Sequence, residues 1–271
     1  MVTRPLHFEC VLLVVGCANR HPHVVLQVFV RNAIIWPSGP LLFPSTKILI
    51  MTDSNAQAPI TAVIFDLDGV LVSTDEYHYQ SWQKLADEEG IPFDREFNER
   101  FRGVSRMECL AMLLKNTDRS YTEEEQQELA DRKNGYYREM IDHLSPDNIL
   151  PGAEEMIDEL KDRGLKVAVA SGSKNAPFIL QRIELTGKLD AAVSGLDIDN
   201  SKPDPEIFEL AASEIDVDPE NCLVVEDAQS GVTAACRAGM RALGIGEEPL
   251  EGAQKTVPSI NDISADELLG L

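Results

Sequence analysis

No apolar run in this 271-residue chain reaches the length a membrane-spanning helix needs. Basic residues are scarce: 24 Lys+Arg stand against 46 Asp+Glu, a net charge of −22. Such a chain repels nucleic acid and anionic membranes, so neither is an expected partner. An anionic substrate has to be met by cations placed locally. The acidity also suits a high-salt cytoplasm, where screening relieves self-repulsion. Cysteines are few and unpaired: Cys10, Cys17, Cys109, Cys222 and Cys236 show no metal-ligand spacing. Their odd number and scatter indicate free thiols in a reducing compartment, with a cytoplasmic monomer expected. There is no internal repeat and no low-complexity tract.

Residues 1–50 differ from the rest. Arg4, Arg20, Arg31 and Lys47 face only Glu9, and no clean hydrophobic period appears. The polar stretch starting Met51-Thr-Asp-Ser resembles an ordinary chain start, so 1–50 is expected to be a start-site artefact or a disordered leader. The alternative is a targeting segment, Arg4 followed by Val11-Leu-Leu-Val-Val-Gly-Cys17, whose apolar region is short and interrupted by His7 and Glu9.

What is present beyond Met51 alternates. The run Thr61-Ala-Val-Ile-Phe65 is the pattern of a buried parallel strand, and it ends in Asp66-Leu-Asp68-Gly69. From Ser73 to Leu144 the pattern is helical. Trp82, Leu85 and Ala86 share one face up to Ile91-Pro92. Ser105 caps a helix carrying Met107, Leu110, Leu113 and Leu114, and Thr122-Glu-Glu-Glu125 is a capping box. From Leu150 the chain reads as helix 152–163, strand 165–170, helix 175–186 and strand 191–193. A helix after Lys202-Pro-Asp-Pro205, strand 222–225, helix 229–238 and a last strand at 242–245 complete it. The fold class is α/β: a doubly wound parallel sheet with an inserted α-helical cap. The core is 51–72 with 145–271, and the cap is 73–144.

Three strands end in polar residues on the same sheet face: Asp66 and Asp68, Ser171-Gly172-Ser173, and Glu226-Asp227. Ligands of open α/β sheets bind at that face. One carboxylate there can attack as a nucleophile and a second can move a proton. Three converging carboxylates require a hard cation such as Mg²⁺. Ser-Gly-Ser is ordinarily a turn and Lys202 ordinarily a solvated lysine. Following buried strands together, they compose a phosphoryl-transfer site.

The motifs Asp66-Leu-Asp68-Gly-Val, Ser171, Lys202-Pro-Asp-Pro and Glu226-Asp227 resemble the four motifs of the haloacid dehalogenase superfamily, in order across 60–245. Within it, Thr74-Asp-Glu-Tyr-His78, Trp82, Arg102-Gly103-Val-Ser105-Arg106, Arg132-Lys133-Asn134 and Ser171-Gly-Ser173-Lys174-Asn175 resemble the β-phosphoglucomutases. The resemblance implies Asp66 as nucleophile, Asp68 as general acid/base, and Ser171 and Lys202 on the transferring phosphate. Mg²⁺ would lie on Asp66, Glu226, Asp227 and the Asp68 carbonyl. It implies Arg106, Ser173, Lys174 and Asn175 on a second phosphate, with Thr74, Trp82, Gly103 and Ser105 also at the substrate. His78 and Lys133 would couple cap closure to Asp68. By periodicity alone, His78 is a surface helix residue and Arg106 an exposed helix-start cation. Arg102, Gly172 and Ala228 depart from the familiar pattern, where Lys, Ala and Ser are expected.

The implied activity interconverts β-D-glucose 1-phosphate and D-glucose 6-phosphate, with β-glucose 1,6-bisphosphate as primer and intermediate and small sugar phosphates as partners. A sugar-phosphate phosphatase of the same fold is the alternative, and a non-catalytic sugar-phosphate sensor a third reading. The intact Asp66, Asp68, Lys202 and Asp227 argue against the sensor.

Overall fold

The computed structural model describes residues 7–12, 28–34, 58–101 and 104–271. Met1–Gln57 and Ala58–Leu271 are separate units. In the first, β1 (His7–Leu12) and β2 (Val28–Ile34) pair antiparallel, where the sequence suggested no regular element. Of the targeting stretch Val11–Cys17, Val11 and Leu12 end β1 and residues 13–17 lie outside the described residues.

The second unit holds a six-stranded parallel sheet. Its strands are β3 (Ala62–Phe65), β4 (Lys166–Ser171), β5 (Ala191–Ser194), β6 (Cys222–Glu226), β7 (Arg241–Ile245) and β8 (Lys255–Val257), in the order β5-β4-β3-β6-β7-β8. The chain winds outward from β3 to β5, returns to the far side of β3, and winds out again. The crevice of such a doubly wound sheet opens where the order reverses, at the carboxyl ends of β3 and β6.

Alternate residues of β3 enter two cores. Val63 and Phe65 pack with Met156, Ile157 and Leu160 of α5 (Ala153–Asp162), with α6 (Ala176–Arg182) and with α9 (Ala265–Leu269). Ala62 and Ile64 pack with Phe208 and Ala211 of α7 (Glu206–Glu214) and Val232 of α8 (Gln229–Arg237). With both faces covered, the strand is apolar throughout, which is why it read as a continuous run rather than an alternation. The expected last strand, 242–245, is followed by the edge strand β8 and by α9. Three residues of strand are too few to show a period.

Between β3 and α5 the described residues form the α-helices α1 (Asp75–Glu89), α2 (Arg95–Asn98), α3 (Arg106–Leu114) and α4 (Glu123–Ile141). Trp82, Leu85, Phe101, Leu110, Leu113 and Leu129 form their own core. The capping boxes of Ser105 with Glu108 and Thr122 with Glu125 are both formed. α1 stops at Gly90 in the left-handed conformation, just before Ile91-Pro92. Where the chain leaves β3 and returns, Leu150 N–H donates to the Leu71 carbonyl at 2.8 Å, and Val72 and Ile149 form an antiparallel bridge. The two connections therefore run side by side.

Candidate active site

Each acidic motif sits where a buried strand runs out. Asp66 follows Phe65, and its N–H donates to the Val225 carbonyl of β6 at 2.9 Å, so the last rung of the ladder sets its position. Glu226 ends β6, is buried, and accepts the Ala228 N–H at 3.1 Å. One carboxylate oxygen each from Asp66, Glu226 and Asp227 lies within 4.8 Å of the others.

Two glycines allow this convergence. Gly69 has φ +84°, and a Cβ there would fall 2.2 Å from Asp227 Oδ2. Gly231, in the first turn of α8, leaves the space that the Glu226 side chain fills: a Cβ would lie 2.0 Å from its Cδ and 2.1 Å from Oε2. The sequence offered only an unremarkable glycine in a helix start.

Lys202 donates to Asp66 Oδ1 at 2.5 Å, to Glu226 Oε2 at 2.8 Å and to the Ala170 carbonyl at 3.3 Å. Burial disfavours its charge, but the carboxylates of Asp66 and Glu226 hold the proton on and raise its pKa. Glu226 is pushed up to about 7 by burial, with Lys202 opposing and Asp66 reinforcing. Lys202 is shared between Asp66 and Glu226, and burial still raises Glu226. Hard oxygen donors in this state fit a small divalent cation.

Asp68 is raised to about 7, first by burial and then by the neighbouring Asp66 charge. The hydroxyl of Thr74, itself fully buried, donates to Asp68 Oδ1. A carboxyl group poised near neutrality can both give and take a proton.

A cavity of about 530 Å³ opens over these groups, bounded by cap and core. Core residues Asp66, Asp68, Ser171, Ser173, Lys174, Asn175, Lys202, Glu226 and Asp227 all line it. So do His78, Trp82, Ser105, Arg106 and Lys133 of the cap. Thr74 stands behind Asp68, outside the lining, and Arg102 and Gly103 lie outside the described residues. The Ser105 hydroxyl is already used in its helix cap, donating to Glu108 at 2.6 Å. Ser171 Oγ accepts the Ser173 N–H at 3.2 Å, and Ser173 Oγ accepts the Asn175 N–H at 3.2 Å, so this loop is wound around its own hydroxyls.

Within the cap, Lys133 Nζ lies 3.1 Å from His78 Nδ1. Burial, then the charges of Lys133 and Arg106, hold His78 well below its usual pKa, which suits a neutral ring accepting from the ammonium. Burial and the Arg106 charge lower Lys133 to about 7. Tyr137, fully buried, sets its ring 4.1 Å from the His78 ring and 4.8 Å from Lys133 Nζ. Tyr137 carries no motif in the sequence; it falls one turn after Lys133, on the same face.

A family model for haloacid dehalogenase-like hydrolases matches residues 60–239. The chain belongs to that family. Among relatives of this haloacid dehalogenase-like hydrolase, the Beta-phosphoglucomutase of Bacillus subtilis is 42% identical over 76% of this chain and 92% of its own. The Phosphorylated carbohydrates phosphatase of Thermotoga maritima is 31% identical over 67% of this chain and 83% of its own. The crystal structure of beta-phosphoglucomutase from Clostridium difficile superposes with a TM-score of 0.74 at 39% identity, covering 78% of this chain and 97% of that one. All six strands of this family member's parallel sheet lie in the unit that begins at Ala58.

Proposed function

We propose that this protein interconverts β-D-glucose 1-phosphate and D-glucose 6-phosphate through a phosphorylated Asp66 and β-glucose 1,6-bisphosphate. The observation that carries the reading is that the cavity is lined by cations beyond the Lys202 that pairs with Asp66. Lys202 donates to Asp66, and Arg106 from the helices between β3 and α5 and Lys174 line the same cavity. A mutase has to grip a phosphate at each end of a sugar, whereas the transfer itself needs only one. The 42% identical relative from Bacillus subtilis supports the same assignment.

In one half-reaction Asp68 takes the proton of the C6 hydroxyl of β-glucose 1-phosphate as that oxygen attacks the phosphorus carried on Asp66, and the phosphorus–oxygen bond to Asp66 breaks to leave the bisphosphate. The bisphosphate is then turned end for end. An Asp66 oxygen attacks the phosphorus at its C1 end, and the phosphorus–oxygen bond to the sugar breaks as Asp68 returns its proton to the departing oxygen. Glucose 6-phosphate leaves and Asp66 is phosphorylated again. Lys202 and Ser171 would hold the transferring phosphate, with Arg106, Ser173, Lys174 and Asn175 on the other. Asp66, Glu226, Asp227 and the Asp68 carbonyl would hold Mg²⁺, which when bound neutralises charge on the transferring phosphoryl group. Lys133 and His78 link the cap to Asp68, so that proton transfer is aligned only when a sugar closes the cavity and water is excluded. The proposal includes a monomer acting on small sugar phosphates in a reducing cytoplasm.

The second reading is a sugar-phosphate phosphatase, favoured by the 31% identical relative. One experiment separates them: the full chain is given β-glucose 1-phosphate, Mg²⁺ and a trace of glucose 1,6-bisphosphate, and glucose 6-phosphate and free phosphate are followed together. Glucose 6-phosphate far outrunning phosphate, and only with primer, supports the mutase. Phosphate leading without need of primer supports the phosphatase.

A further inference from the structure

Asn175 is 6% exposed, and its carboxamide is held from the cap at both ends. Its Nδ2 donates to Asn134 Oδ1 at 2.9 Å. Its Oδ1 accepts from Arg138 Nη1 at 3.5 Å, the outer limit of a hydrogen bond. Asn134 and Arg138 are four residues apart on α4, hence on one face of it, and the Arg138 guanidinium lies 3.8 Å over the Phe178 ring of α6. An amide free to flip offers an anion its oxygen as readily as its nitrogen. Here an acceptor meets the nitrogen end and a cation meets the oxygen end, so one orientation is selected. The nitrogen keeps a second hydrogen for another acceptor. Asn134 and Asn175 both line the cavity.

We propose that Asn134 and Arg138 are positioning residues that fix the Asn175 carboxamide with its donor end available, and so couple seating of the cap to capture of the non-transferring phosphate. This rests on the mutase reading for the identity of the phosphate, but the latch itself is a property of the fold. It gives the cap a second link to the core, distant in sequence from the paired connections at Leu71 and Leu150. An amide already oriented loses less freedom when the ligand arrives. Because that phosphate is held equally before and during transfer, losing the orientation weakens binding and leaves the chemical step alone.

The test uses the full chain with Asn134→Ala and, separately, Arg138→Ala. Three readouts are taken: the Kd of glucose 6-phosphate by calorimetry, the split between KM and kcat for β-glucose 1-phosphate, and backbone hydrogen exchange without ligand. Loss of one hydrogen bond predicts Kd and KM raised about five- to tenfold for Asn134→Ala, with kcat changed less than about twofold. Exchange should quicken at 173–179 and stay unchanged in β3 and β6. Arg138→Ala should shift the same quantities in the same direction, by less. Unchanged Kd together with unchanged exchange at 173–179 overturns the proposal. A fall in kcat alone, or exchange that quickens throughout with a lower Tm, also overturns it, since that is what a purely structural side chain would give. If the wild-type protein yields no glucose 6-phosphate, the mutase reading fails, and the Kd and exchange comparison still decides the latch.

Discussion

Asp66, Glu226 and Asp227 are three acids that folding alone would not gather. The energetic consequence is legible in Glu226, buried and pushed up to about 7, and in Lys202, whose ammonium is shared between two of them. Replacing the proposed nucleophile, Asp66→Asn, should lower turnover by at least ~10³-fold while sugar-phosphate binding, measured by calorimetry, persists. Binding and turnover lost together would instead point to a collapsed site. Gly231→Ala is a more local probe. Its methyl group would overlap the Glu226 carboxylate, so the acid has to swing away from Asp66 and Asp227. Mutating even an outer-shell partner of a metal ligand typically costs ~10–100-fold in metal affinity, so displacing a ligand is expected to cost at least that. A Mg²⁺ titration of activity should show that shift, with Tm lowered only slightly. Both glycines at the site were visible in the sequence, but the side chains that press against them come from other elements, and no local pattern reveals that.

At the scale of elements, the strands ending in acids and the two capping boxes were legible because each is a local rule obeyed within a few residues. Strand β3 was read to its last residue, and Ser105 and Thr122 cap the helices expected of them. The residues that join elements were not legible in that way. Asn134 and Tyr137 sit on α4 among charged neighbours, and only the fold sets them beside Asn175 and His78. His78 and Arg106 carried meaning through family resemblance alone, since helix periodicity assigned them to the surface. Lys133 shows what such placement costs. Burial lowers its pKa from 10.5 to about 7, so between those values the unfolded chain binds the extra proton and stability rises with pH. Below pH 7 the full penalty applies, because the folded protein has to carry the buried charge. Lys133→Met should therefore unfold at higher denaturant than wild type at pH 6. That gain should shrink as pH rises towards 10.5, while transfer activity is lost. Equal denaturation midpoints for the two proteins at pH 6 would show that Lys133 is buried without penalty.

For the whole molecule, the net charge of −22 sets the surroundings in which this site works. Self-repulsion of that size weakens the compact state and is screened by salt. Raising NaCl from 0.05 to about 1 M should raise Tm by several degrees, followed by circular dichroism. An unchanged Tm would mean that the acidic surface is locally balanced by ion pairs such as Lys188 with Asp158 and Glu154. The same field disfavours a phosphate everywhere except at the few sites where cations are gathered, and the cavity between cap and core is where Lys202, Arg106, Lys133 and Lys174 come together. In this mechanism phosphate on Asp66 passes to a sugar rather than to water. The most direct measurement loads the full-length protein with label from radiolabelled glucose 1,6-bisphosphate and chases it with unlabelled β-glucose 1-phosphate. The label should leave the protein as glucose bisphosphate, and stay on the protein much longer when no sugar is added. Label released as inorganic phosphate at the same rate with and without the sugar would contradict it.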